Sequence, residues 1–167
     1  MNNGLIVLKK IIPLVFVIAL LFCGCQAKNN TPKLTDFKQK ASVSLGDFSY
    51  TCEICKTDEV IDITITSTNA KDMCISYNGD MVSFQYDDIF LEYEGTKIDK
   101  TNPAVAIFNA FEFIKNSENI DVSKTDNGFK YEGKTNLGSF ILLLNDDLSY
   151  NSLEFKDANI KIEFLDK

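Results

Sequence analysis

Two hydrophobic periods run through this chain, and they occupy different stretches of it. Over most of its length large apolar residues recur at every second position. Phe48, Tyr50, Cys52 and Ile54 alternate with Ser49, Thr51, Glu53 and Cys55, and Ile61, Ile63 and Ile65 alternate with Asp62, Thr64 and Thr66. A period of two marks a strand buried on one face. Short turns between such runs make neighbouring strands antiparallel. Lys56-Thr57-Asp58-Glu59 predicts a four-residue hairpin loop, with Ile54 opposite Ile61, Cys52 opposite Ile63 and Tyr50 opposite Ile65. Upstream, Phe37 to Ser44 reads as a strand turning at Leu45-Gly46-Asp47. Downstream, Met73 to Tyr77 leads to Asn78-Gly79, a two-residue hairpin signal. Val82, Phe84 and Tyr86 follow, then a turn at Asp87-Asp88, then Ile89, Leu91 and Tyr93. This is a meander of six strands.

The period then changes. Thr101-Asn102-Pro103 carries a capping side chain followed by proline at the first helical position. Val105, Ile107, Phe108, Phe111 and Ile114 recur at helical spacing, widened by Phe113, and Lys115 suits the C-terminal end of the helix dipole. The helix is expected over about Pro103 to Asn116. After it the period of two returns, with turns at Asp126-Asn127-Gly128, Asn136-Leu137-Gly138, Asn145-Asp146-Asp147 and Asp157-Ala158-Asn159. Ser139 to Leu144 is apolar enough to be buried on both faces. Leu148, Tyr150, Leu153 and Phe155 mark the next strand, and Ile160, Ile162 and Phe164 the last. The expected fold class is mainly β (α+β): a curved antiparallel sheet of about ten strands with one amphipathic helix across its concave face. A sheet wrapped over one helix leaves a cleft between them.

The first residues follow neither pattern. Lys9 and Lys10 precede Ile11 to Phe22, 12 apolar residues. That run is too short to span a bilayer stably and suits a secretory signal. It ends in Leu21-Phe22-Cys23-Gly24-Cys25, which resembles a bacterial lipobox with Phe22 where leucine is usual. Residues 1–24 are therefore read as a lipoprotein signal peptide. Residues 25–34 are read as a lipidated Cys25 and a flexible tether, and 35–167 as one domain. The expected modification is a covalent diacylglycerol and acyl lipid on Cys25, because two or three acyl chains anchor where one does not. Other cofactors are not expected. The implied location is the extracytoplasmic face of a bacterial cell membrane. The arginine-free composition, rich in Lys, Asn and Ile, is an association with Gram-positive, low-GC cells.

Composition removes several function classes. The chain has no His, no Trp and no Arg, so all 17 basic residues are lysines. Histidine metal ligands, Ser-His-Asp and Cys-His nucleophile systems, and bidentate arginine clamps are excluded. Without Lys9 and Lys10 the chain has 24 acids against 15 lysines, net −9. That charge argues against nucleic acid and against anionic lipid surfaces meeting the protein body.

The run Ile75-Ser76-Tyr77-Asn78-Gly79-Asp80-Met81-Val82, then Phe90-Leu91-Glu92-Tyr93, the Asn102-Pro103 helix start and the closing Ile160-Lys161-Ile162-Glu163-Phe164 together resemble the LolA/LolB/LppX-like superfamily of bacterial lipoproteins and lipoprotein carriers. The likeness covers about Thr35 to Lys167 and is greatest to small clostridial lipoproteins of that superfamily, among them a spore-germination lipoprotein. It implies an open half-barrel. It also implies binding or shuttling of lipids or lipidated proteins in some members, and scaffolding in others. The carriers have more helix than this chain, and their functional arginine has no counterpart in it.

No residue set predicts catalysis, and the chain is read as a non-enzyme. Cys52 and Cys55 have CxxC spacing, but alternation turns one inward and the other outward. Cys74 lies two strands away. Asp87-Asp88 and Asp146-Asp147 sit where turns are expected, and no metal site is expected. The aromatics are the remaining candidates. Phe84, Tyr86, Phe90, Tyr93, Phe108 and Phe111 come from the central strands and the helix and are the expected lining of a hydrophobic cleft. Two readings stay open. In the first, a membrane-anchored lipoprotein holds an acyl chain or lipid in that cleft. In the second, an envelope scaffold or interaction lipoprotein has a filled cleft and a protein partner. An apolar cavity of several hundred Å³ favours the first; a filled cleft with an exposed apolar patch favours the second.

Overall fold

The computed structural model of the chain describes residues 32–117 and 120–165. The leader, Cys25 and residues 26–31 lie outside that range. Each alternating run becomes a strand: β1 (Phe37–Leu45), β2 (Phe48–Lys56), β3 (Ile61–Ile65), β4 (Cys74–Tyr77), β5 (Met81–Tyr86) and β6 (Ile89–Glu94). Helix α1 (Pro103–Asn116) follows, then β7 (Asp121–Thr125), β8 (Gly128–Thr135), β9 (Gly138–Asn145), β10 (Tyr150–Phe155) and β11 (Ile160–Phe164). The strands form one antiparallel sheet in the order β6-β5-β4-β3-β2-β1-β11-β10-β9-β8-β7. The described residues form eleven strands, against about ten expected. Two meanders meet at a seam where β1 pairs with β11, Ala41 opposite Phe164 and Leu45 opposite Ile160. The free edges are β6 and β7, and α1 is the connection between them.

The helix shows that the sheet is curved. Phe108 stacks edge-on against Tyr77 of β4 at 5.0 Å, while Phe113 stacks against Phe140 of β9 at 5.7 Å. Those strands lie six places apart in the order, about 29 Å in a flat sheet at the usual strand spacing. Two residues five apart on one helix reach both only if the sheet wraps around it. Ala104, Ala106 and Ala110 are fully buried with Ile107, so the helix backbone sits close on the inner face. Opposite Phe113, Gly133 leaves no room for more: a Cβ there would fall 2.6 Å from the rings of Phe113 and Phe140. The helix starts as expected, with Asn102 Oδ1 accepting from the Ala104 N–H at 3.0 Å and Pro103 at its first position.

Four details depart from the sequence expectations. In the β2–β3 hairpin Ile54 faces Ile63 and Cys52 faces Ile65, with Lys56 opposite Ile61. Thr57 N–H bonds Val60 O at 2.9 Å, so the loop is Thr57 to Val60 and the register moves by two residues. A shift of two keeps every side chain on its expected face. In the β4–β5 turn the flanking residues are Asn78 and Met81, bonded at 3.4 Å, with Gly79 and Asp80 between them. The Asn78 side chain accepts from both Asp80 and Met81 N–H groups, and Gly79 takes the positive φ of 92°. In β9 only Phe140, Leu142 and Leu144 are buried, while Ile141 and Leu143 are half-covered. Leu148 belongs to a turn with φ 66°, not to β10. Tyr150 and Leu153 break the period of two, yet both are buried, because a bulge between Tyr150 and Ser152 inserts the extra residue.

That bulge is supported from β1. Gln39 is the one buried polar side chain among the described residues, and its Nε2 donates to Tyr150 O (3.2 Å) and Leu165 O (3.0 Å). The segment before β1 is pinned to the C-terminal meander as well. Tyr131 donates its hydroxyl proton to Pro32 O (2.5 Å). The Tyr150 hydroxyl donates to Thr35 O (2.8 Å) and accepts from Thr35 N–H (3.1 Å).

Candidate functional site

The six aromatics expected to line a cleft divide into three groups. Phe111 and Phe108 occupy the space between helix and sheet. Phe111 is buried, with ring contacts to Phe37 (5.9 Å) and Tyr150 (5.3 Å), and the Lys56 ammonium lies 5.3 Å above its ring. That lysine is itself mostly covered and pairs with Asp36 at 3.6 Å. Phe108 is half-buried and would meet a Gly79 Cβ at 2.9 Å. Both rings are packing.

Phe84, Tyr86 and Tyr93 form the second group, on the inner face of the β5–β6 hairpin. The register sets Val82 opposite Tyr93, Phe84 opposite Leu91 and Tyr86 opposite Ile89. These six side chains therefore share the face that carries buried Ile75 and Tyr77 on β4. Val82 is fully buried and Phe84 half-buried against the core, with a ring contact to Tyr93 at 6.4 Å. Beyond them the face opens to solvent: Leu91 is 47% exposed and Ile89 59%. Phe90 forms the third group alone. Strand alternation puts it on the opposite, outer face with Glu92 and Glu94, and it is 60% exposed. It does not line the cleft.

Ile89 and Leu91 complete the surface; the period of two places them on a strand, and the aromatic set expected to line the cleft does not include them. Their alternation looks like that of Ile61, Ile63 and Ile65; only position in the sheet separates the two sets. One signal was present in the chain: β6 is the last strand of its meander, and the strand that ends a meander is an edge unless a later strand joins it.

The other candidates are not brought together. Cys52 is buried, which pushes its thiol up to about 12 and keeps it protonated. Cys55 and Cys74 are half-exposed on the outer face, and all three thiols are free. Asp87-Asp88 and Asp146-Asp147 lie in turns, with Asp147 accepting from Ser149 N–H and Oγ. Among the described residues no three acidic or thiol groups converge as a metal site would require. Two open surface hollows of about 530 and 510 Å³ have mixed linings, Ser44, Asp47, Phe155, Ile160 and Lys161 among them in one, Asn109, Glu112, Phe113 and Asn116 in the other. Neither is lined by the six aromatics.

Fold and surface define a class of molecule: an open antiparallel half-barrel, plugged by one helix, with an apolar hairpin left in solvent at one edge. No family model matches the chain, and no curated protein matches it. Similar solved structures include a chain in the complex of the CwlD amidase from Clostridioides difficile with the GerS lipoprotein, 15% identical with a TM-score of 0.47, covering 80% of this chain and 86% of that one. They also include a LolA superfamily protein from Nitrosomonas europaea, 10% identical with a TM-score of 0.42, covering 81% of this chain and 86% of that one. A LolA-like structure is thus among those this chain is similar to, as the resemblance in its sequence implies.

Proposed function

We propose that this chain is a membrane-anchored, non-catalytic lipoprotein that works by holding a protein partner on its β5–β6 hairpin. One observation carries the reading. The space between helix and sheet is occupied by the chain's own side chains, Ile107, Phe108 and Phe111 among them, while Tyr86, Ile89, Leu91 and Tyr93 are held in solvent. Contiguous exposed apolar surface of this kind marks an interaction site. The lipid-carrying reading needs an emptied cleft, which α1 occupies here. Anchorage belongs to the same proposal: the Cys25 lipid fixes the domain to the outer leaflet.

A photo-crosslinking amino acid at Tyr86, in full-length protein in its native envelope, tests the reading. Protein adducts from that position, absent with the same group at Ser123 of β7, are expected. Adducts of lipid mass alone would overturn it in favour of lipid binding. Palmitate labelling, expected in the wild type and lost in Cys25→Ser, tests the anchor.

A further inference from the structure

We infer that β6 takes up an extended segment of that partner as an additional antiparallel strand, and that this segment alternates apolar residues with lysine or arginine. The inference rests on the proposed partner-binding role and gives it a mode and a chemistry.

Backbone phase is the first ground. Gly95 N–H bonds Asp80 O at 2.6 Å, next to the Met81–Glu94 pair. In an antiparallel ladder bonded and non-bonded pairs alternate. Ile89, Leu91 and Tyr93 therefore bond to β5, and Phe90, Glu92 and Glu94 turn their N–H and C=O groups outward. Among the described residues no strand lies beyond β6. Contrast with the other edge is the second ground. β7 is five residues, Asp-Val-Ser-Lys-Thr, short and polar as protected edges are. β6 is six residues, all exposed, and four of them are Ile89, Phe90, Leu91 and Tyr93. An exposed apolar edge is the template that strand addition uses.

Charge chooses the occupant. The inner face offers Ile89, Leu91 and Tyr93 to apolar side chains; the outer face offers Glu92 and Glu94, with Asp88 at the turn. Lys97 pairs with Glu94 at 3.2 Å, but both side chains are well exposed and that pair is weak. An incoming strand with Lys or Arg opposite these carboxylates matches both faces at once. A second copy does not. Antiparallel self-pairing centred on Phe90 sets Asp88 against Glu92, and centred on Leu91 sets Asp88 against Glu94. Centred on Glu92, it sets that residue against its own copy. Each of these three registers opposes like charges, and the register centred on Ile89 sets Glu92 against Tyr86 and Glu94 against Phe84, giving neither carboxylate a basic partner.

The test uses purified full-length protein in nanodiscs and a fluorescent peptide alternating valine and lysine, with a valine–glutamate peptide as comparison. Saturable binding of the lysine peptide, weakened by salt, with slowed amide exchange at Phe90, Glu92 and Glu94, is expected. Glu92→Pro removes an outward N–H and no bond to β5, so it is expected to weaken binding roughly tenfold while the melting temperature holds. Glu92→Lys with Glu94→Lys is expected to reverse the peptide preference. Equal binding of both peptides, no binding by a folded protein, or binding unchanged in Glu92→Pro would overturn the inference. A dimer in sedimentation that Glu92→Pro dissolves would also overturn it and assign the edge to a second copy. Protein adducts at Tyr86 that survive Glu92→Pro would leave the partner-binding role standing and remove only the strand addition. Lipid adducts alone would remove both.

Discussion

Gln39 is worth more to this fold than its single side chain suggests. It serves two carbonyls, Tyr150 O at the bulge and Leu165 O beyond the last strand. Gln39→Leu keeps the volume and leaves both acceptors dry, so a loss of about 1–3 kcal/mol is expected in urea unfolding. Buried acids define a second prediction. Burial pushes the Cys52 thiol up to about 12, and it pushes the Tyr150 hydroxyl up to about 12 against the lowering effect of its bonds to Thr35. The unfolded chain releases these protons near the ordinary values of 9.0 and 10.0. Between those values and 12 the folded state holds more protons, so stability is full below pH 9 and falls as pH rises towards 12. Each group contributes up to about 1.4 kcal/mol per pH unit to that fall. Melting temperature against pH should show it, and Cys52→Ala should delay its onset into the tyrosine range.

At the scale of elements, the helix was readable from residues and the strand pairing less so. Thr101-Asn102-Pro103 and the helical spacing after it define α1 to its observed bounds, Pro103–Asn116. Asn102→Ala should cost about 1 kcal/mol in thermal unfolding, the usual worth of such a cap. Gly133→Ala should cost about 1–3 kcal/mol, because its Cβ would meet the Phe113 and Phe140 rings at 2.6 Å and one ring must leave its position. Faces were legible throughout, since a period of two names them. Register was not: Lys56-Thr57-Asp58-Glu59 and Thr57-Asp58-Glu59-Val60 are equally good turns by composition, and only the Thr57–Val60 bond chooses. The bulge was hidden for the same reason, as the odd spacing of Tyr150 and Leu153 does not say which residue is extra.

Across the whole molecule, the aromatic set was found but its division was not. Alternation separates Phe90 from Phe84, yet nothing local shows that Phe111 is core while Tyr93 is surface. That difference is made by α1 resting on the middle of the sheet and leaving β6 uncovered. The seam between β1 and β11 carries a consequence for how the molecule reaches this state. Synthesis delivers these two central strands first and last: Ala41 and Phe164, paired across the seam, lie 123 positions apart in the chain. Contacts that distant in sequence close slowly. Until the C-terminus arrives, β1 is a second open edge in the middle of what will be the core. Chains cut short before Ile160 should therefore be insoluble rather than merely weakened, and refolding of the intact chain should be a slow process limited by docking of the two meanders.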